Sequence, residues 1–195
     1  MPVLTVVGGP NGSGKSSVIC TLHFKGHENL LNPDVVAKRM NPEDPQRAAV
    51  AAAREVIQKT REYLDNRESF AIETTLSSGS TLSTMQQAKA GGFTVRLLYV
   101  CVNTPERNIQ RVRERVARGG HDVPEADVRR RYHRSLSNLP AALRLAHEAV
   151  VYDNSDEPRK VLETQSGVIV WRAHNEPAWV TRVCEAISSP DTTPP

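Results

Sequence analysis

Eight residues near the start of the chain have the types and spacing to hold phosphate. Gly9, Pro10, Asn11, Gly12, Ser13, Gly14, Lys15 and Ser16 satisfy G-x-x-x-x-G-K-[ST] at every fixed position. The apolar, β-rich run 3–7 precedes them, and Ser17, Val18 and Ile19 continue into a helical pattern. Strand, glycine loop and helix is the context that a phosphate-binding loop requires. Glycines at 9, 12 and 14 let the backbone turn tightly and present its N–H groups with no Cβ in the way. Those groups and the positive end of the following helix form a concave anion site. Lys15 then reaches the outer phosphates of a nucleoside triphosphate, and the Ser16 hydroxyl completes a Mg²⁺ shell. A chance glycine-rich turn is the plain alternative, and eight residues in register between the right flanks weigh against it.

Two further groups could do chemistry. Residues 29–37 read NLLNPDVVA, a brief strand and a turn with Asp34 just beyond. In an open parallel sheet the ends of strands beside the phosphate loop face the ligand crevice. Asp34 is thus placed to meet a substrate hydroxyl, although capping the VVAKRM helix is an equally complete reason for an Asp there. Residues 69–75 read SFAIETT, so Glu73, Thr74 and Thr75 emerge at the carboxyl end of a third strand. A carboxylate and two hydroxyls at that end favour a site over a solvated strand terminus.

The third group is arginine. Arg107, Arg111, Arg113, Arg115, Arg118, Arg129, Arg130, Arg131 and Arg134 fall within thirty residues or so of one another. Arg107, Arg111, Arg115 and Arg118 share one helical face. Two helices joined by residues 119–124, GGHDVP, are expected to form a mobile arginine hairpin, a lid over about 105–137. The guanidinium fork fits phosphate oxygens, and such groups can close over a transferred phosphoryl group and exclude water. A solvated amphipathic helix and a nucleic-acid surface are the competing readings, the first being the usual fate of a single surface arginine. Asp153, Asn154 and Ser155 follow a fifth strand, where Asn154 can pair with an adenine edge or simply serve a turn.

These residues must be positioned by an α/β framework. The pattern predicts strands over 3–7, 30–31, 69–75, 93–102 and 150–152, with 93–102 central. A long helix opens at 42–45 and runs to about 66, with Val50, Ala53, Val56, Ile57, Thr60 and Leu64 on its inner face. Helices are also expected over 81–90, from 105, over 139–149 and over 177–187, with a hairpin about Ser166-Gly167 and a frayed tail at 188–195. The sum is a three-layer P-loop NTPase fold with a mostly parallel five-stranded sheet, plus a small C-terminal hairpin and helix, in one domain over 1–187. The bulk numbers agree: 195 residues, 38% hydrophobic, 24% charged and a net charge of +3 suit a globular protein and argue against a general polyanion binder. The chain contains no membrane-length apolar run and begins its first strand at once, so no signal peptide is expected and the cytoplasm is the expected location. Cys20, Cys101 and Cys184 are widely spaced in apolar stretches and read as reduced core thiols.

Together these stretches resemble the zeta-toxin family of phosphate-loop kinases, in a short form. The likeness is carried by GGPNGSGKSS (8–17), LNPDVVA (31–37), FAIETTLSSG (70–79), RVARGGHDVP (115–124), RRYHRSLSNL (130–139) and VYDNS (151–155). The resemblance implies an adenylate-kinase-like core that uses ATP and Mg²⁺ to phosphorylate a hydroxyl of a small molecule. UDP-N-acetylglucosamine is the acceptor it implies most directly. By the same resemblance Lys15 and Ser16 serve the ATP phosphates and Mg²⁺, and Asp34 is the base for the acceptor hydroxyl. Glu73, Thr74 and Thr75 would hold the acceptor, and Arg111, Arg115 and Arg118 are candidates for the moving phosphoryl group, Arg118 foremost. The family also allows an antitoxin partner, although nothing in the chain itself shows one. A nucleotide, an antibiotic or a nucleic-acid end as acceptor, and a non-catalytic ATP-dependent switch, are the alternatives.

Overall fold

The computed structural model describes residues 1–20 and 22–189. In chain order the elements are β1 (Val3–Gly8), α1 (Lys15–Ile19), a 3₁₀ turn (His27–Asn29), β2 (Leu30–Leu31), α2 (Pro33–Met40), α3 (Pro45–Asp65) and β3 (Phe70–Thr74). They continue with α4 (Gly79–Ala90), β4 (Thr94–Cys101), α5 (Pro105–Ala117), α6 (Glu125–Leu145), β5 (Glu148–Asp153), β6 (Arg159–Gln165), β7 (Val168–Arg172) and α7 (Ala178–Ser188). One sheet runs through them in the order β2-β3-β1-β4-β5-β6-β7. The first five strands of that order are parallel, as the pattern predicts, and β4 lies at the centre. β1 is paired on both sides, with Val6 opposite Ile72 and Leu97, and all six of its residues are buried. That is why it reads as an unbroken apolar run instead of an alternating one.

Four expectations need correction. The C-terminal hairpin is not a separate appendage, because β6 pairs antiparallel with β5 and extends the same sheet to seven strands. Its Val161, Leu162 and Thr164 are buried by that union. The long helix lies where it was expected, as α3, but its inner face is Ala48 and Ala52 with Val56, while Val50 and Ile57 are exposed. Small alanines let α3 pack closely on Ala37 of α2, so the larger residues are left outside.

The third correction concerns α6, which runs without a break through Pro140. Its buried Val128, Tyr132, Ser135, Leu139, Ala142 and Leu143 keep helical spacing on either side of the proline. An interior proline costs ~3 kcal/mol, whereas two fully buried leucines contribute ~3–6 kcal/mol, so burial decides the outcome. Finally, Cys20 is exposed and donates its thiol to Ser17 O at 3.0 Å, while Cys101 and Cys184 are buried as expected. Of the expected tail, Ser188 ends α7, and residues 190–195 lie outside the described residues.

Candidate active site

The phosphate loop is held from three directions. Inside it, the Lys15 ammonium donates to Gly9 O at 2.7 Å and to Pro10 O at 3.2 Å. Burial lowers the Lys15 pKa from its ordinary value, opposed by attraction to Glu73 and Asp34. From β5, Asn154 donates its side-chain amide to Ser13 O at 2.8 Å. The side chain expected either to pair with an adenine edge or to serve a turn thus braces the loop backbone. Gly14, at φ +85°, passes so close that a Cβ there would lie 2.2 Å from that same amide nitrogen. From the lid, Asn11 O accepts from the Asn108 amide, and Asn11 Oδ1 accepts from Arg131 Nη1 at 3.1 Å.

The carboxylates are positioned by Asn32. Its Oδ1 accepts the backbone N–H groups of Asp34 (2.8 Å) and Val35 (3.3 Å), so Asn32 is the N-cap of α2. Asp34 is therefore relieved of capping, which removes the bland reason for its presence. The Asn32 amide meanwhile donates to Glu73 Oε2 at 2.8 Å, and Ser16 Oγ donates to Glu73 Oε1 at 3.4 Å. Thr74 and Thr75 are largely occupied with the turn that follows. Thr74 Oγ1 pairs with Thr81 Oγ1 (3.1 Å) and accepts from Leu76 N, and Thr75 Oγ1 pairs with Ser77 Oγ (2.8 Å). Leu76, fully buried, has φ +54°, a left-handed conformation disfavoured for a leucine. Bonds from its N–H to Thr74 and to its carbonyl from Asn138 fix that turn beside the cavity.

Two cavities meet at this point. The smaller, about 180 Å³, is bounded by Asn11, Lys15, Asn32, Glu73, Thr74 and Thr75. The larger, about 680 Å³, lies between α2, α3 and the lid tip 119–124, with Val35, Ala37, Pro45, Ala49 and Val123 as its apolar wall. Pro33, Asp34 and Arg131 line both. A volume of that order fits a drug-sized ligand.

Ser16 Oγ and Glu73 Oε1 are hard oxygen donors side by side, the ligand chemistry that Mg²⁺ takes. Among the described residues no three His, Cys, Asp or Glu side chains could hold a metal by themselves. An Mg²⁺ at Ser16 and Glu73 would accordingly take its other ligands from phosphate and water, as it does in kinases.

The α5–α6 hairpin, expected as a mobile arginine lid, has a packed interior. Ile109, Val112, Val123 and Val128 form a small core of their own between α5 and α6. The hairpin is a packed body continuous with the long helix, and α6 carries it beyond 137 into the main core. Arg111 donates to Ser155 O at 3.2 Å, and burial followed by the neighbouring Arg107 lowers its pKa. Arg115 donates to His121 O at 2.7 Å, and Arg118 ends α5 exposed. None of these three lines the cavities, whereas Arg131 lines both. One signal could have singled out Arg131: it stands three residues after Val128 and four before Ser135, at the flank of the buried face of α6. Much of the remaining arginine charge is neutralised locally, in Arg107–Asp156, Arg113–Glu125, Arg129–Glu106 and Arg130–Asp127 pairs.

A family model described as an AAA domain (AAA_33) matches residues 4–138. An uncharacterized protein of Haemophilus influenzae is 35% identical over 124 residues, 64% of this chain and 88% of that protein. Among solved structures, the AvrRxo1-ORF1:-ORF2 complex with ATP has a chain that aligns with a TM-score of 0.73 at 14% identity, over 98% of this chain. This chain spans 66% of the length of that one. The PezAT chromosomal toxin–antitoxin system of Streptococcus pneumoniae gives a TM-score of 0.57 at 13% identity, over 96% of this chain and 78% of the other. At such identities the likeness is one of fold, the α/β fold of P-loop NTPases with a mostly parallel sheet.

Proposed function

This chain belongs to the AAA domain family AAA_33, and from that premise we propose that it is an ATP-dependent kinase for a small-molecule hydroxyl. The observation that carries the proposal is the junction of the two cavities at Asp34 and Arg131. A phosphate-sized space over Lys15 opens there into a larger, partly apolar one, and a carboxylate free of capping duty stands at the opening. A switch needs the first space and has no use for the second.

In this reading the triphosphate lies on residues 9–17, with Lys15 leaving the carbonyls of Gly9 and Pro10 for the outer phosphates. Ser16 and Glu73 would hold Mg²⁺, which supplies neutralisation of the β- and γ-oxygens when bound. Asp34 takes the proton of the acceptor hydroxyl as that oxygen bonds to the γ-phosphorus. The bond from the γ-phosphorus to the β–γ bridging oxygen breaks, and ADP leaves with its electron pair. Arg131, which lines both cavities, stabilises the charge on the transferred group.

The acceptor we assign is a UDP-activated amino sugar such as UDP-N-acetylglucosamine, supported by the zeta-toxin resemblance and by the size of the larger cavity. A nucleic-acid end is disfavoured because so many lid arginines are already paired with carboxylates. An antitoxin partner and a cytoplasmic site of action belong to the same proposal. AvrRxo1-ORF1 was solved together with ORF2, and PezAT is a toxin–antitoxin system. No helix among the described residues is long and apolar enough to cross a membrane. The test is a mass-resolved assay of purified protein with MgATP and a panel of UDP-sugars, nucleosides and aminoglycosides. The expected result is one phosphoryl group gained by a UDP-amino sugar. ATP bound while every member of the panel stays unmodified would remove the acceptor assignment.

A further inference from the structure

We propose that Asn11 is a positioning residue, tying the lid to the phosphate loop and setting Arg131 against the transferred phosphoryl group. The inference rests on the kinase reading above. The loop pattern leaves position 11 open to any residue, yet here it holds a buried amide, 8% exposed. Both lid helices fasten on it. Asn108 of α5, fully buried, donates to the Asn11 carbonyl, and Arg131 of α6 donates to Asn11 Oδ1 at 3.1 Å. Contact at Gly12 is equally close, since a Cβ there would lie 2.5 Å from Asn108 O.

Because Ile109, Val112, Val123 and Val128 pack α5 and α6 together, a tie at one loop residue fixes the whole lid base relative to the phosphates. Among the described residues Arg131 also pairs with a carboxylate of its own helix, Asp127, 4.0 Å away. With Oδ1 of Asn11 gone, that carboxylate would draw the guanidinium back along α6 and away from the cavity junction. A misplacement of about 1 Å in a catalytic array can cost roughly a hundredfold in rate.

The measurement is the affinity for MgADP–aluminium fluoride, a mimic of the transferred phosphoryl group, divided by the affinity for MgATP, both by calorimetry. Asn11→Leu, similar in volume and without an acceptor, lowers that ratio about tenfold or more. Asn11→Asp keeps an acceptor for Arg131. Its added charge weakens both ligands, and the ratio stays within about threefold of the parent. Arg131→Ala lowers the ratio as Asn11→Leu does, and combining the two lowers it no further. Asn11→Ala repeats the test should leucine disrupt the loop. An unchanged ratio in Asn11→Leu, or full additivity with Arg131→Ala, overturns the inference alone. A parent that holds MgADP–aluminium fluoride no more tightly than MgADP overturns the kinase reading and the inference with it.

Discussion

Alanine at Gly14 meets two separate obstacles, and their sizes can be worked out. The backbone there has φ +85°, a left-handed conformation that costs a residue with a Cβ about 1–2 kcal/mol. The new Cβ would also stand 2.2 Å from the Asn154 amide nitrogen, so Asn154 must swing away and lose its 2.8 Å bond to Ser13 O. A buried hydrogen bond left unmade costs about 1–3 kcal/mol. Together these make a central value of about 3 kcal/mol, equivalent to a fall in Tm of roughly 6–12 °C for a domain of this size. Asn154→Ala alone should cost only the second amount. In the double variant the bond is already lost, so adding Asn154→Ala to Gly14→Ala costs nothing more, a coupling of about 1–3 kcal/mol. Thermal and denaturant unfolding of the four proteins reads this directly, with MgATP affinity as a second readout. A Gly14→Ala protein within about 2 °C of the parent, or additive effects, would refute the brace between loop and β5.

Two further outcomes follow from buried polar groups. Burial depresses Lys15, so between its lowered pKa and the ordinary 10.5 the folded chain holds fewer protons than the unfolded one. Its contribution to the stability of the ligand-free protein therefore rises with pH across that window. MgATP affinity falls over the same window as the ammonium is lost, and Lys15→Met, measured by calorimetry against pH, removes that dependence. Tyr99 and Ser135 share a buried 2.9 Å bond joining β4 to α6, and burial raises the Tyr99 pKa well above 10.0. Tyr99→Phe should cost about 1–3 kcal/mol in denaturant unfolding by leaving the Ser135 hydroxyl unpaired, and adding Ser135→Ala should cost less than the sum of the single changes.

The parallel sheet was legible because buried strands leave apolar runs and the phosphate loop has a fixed spelling. β1, β3 and β4 fall where their runs lie. What escaped was whatever depends on contacts far along the chain. Pro140 signals a break to any local reading, and only the burial of Leu139 and Leu143 against the core shows why α6 continues. Asp34 and Asn32 both suit a cap, and the choice of Asn32 is visible only once its amide is seen bridging to Glu73. Asn154 stands on the expected turn, yet its partner is Ser13, 141 residues earlier. Arg131 was one arginine among nine, and its distinction lies in a contact to Asn11, 120 residues away.

The central claim is that Asp34 activates an acceptor hydroxyl at the mouth of an ATP site. Its most direct test compares Asp34→Asn with the parent in one mass-resolved transfer assay, with MgATP affinity measured in parallel. Loss of a positioned general base should lower turnover by roughly 10²–10⁴-fold. Because the side chain stands beyond the phosphate loop, the affinity for MgATP should stay within about threefold. Turnover by Asp34→Asn within about threefold of the parent would contradict the account.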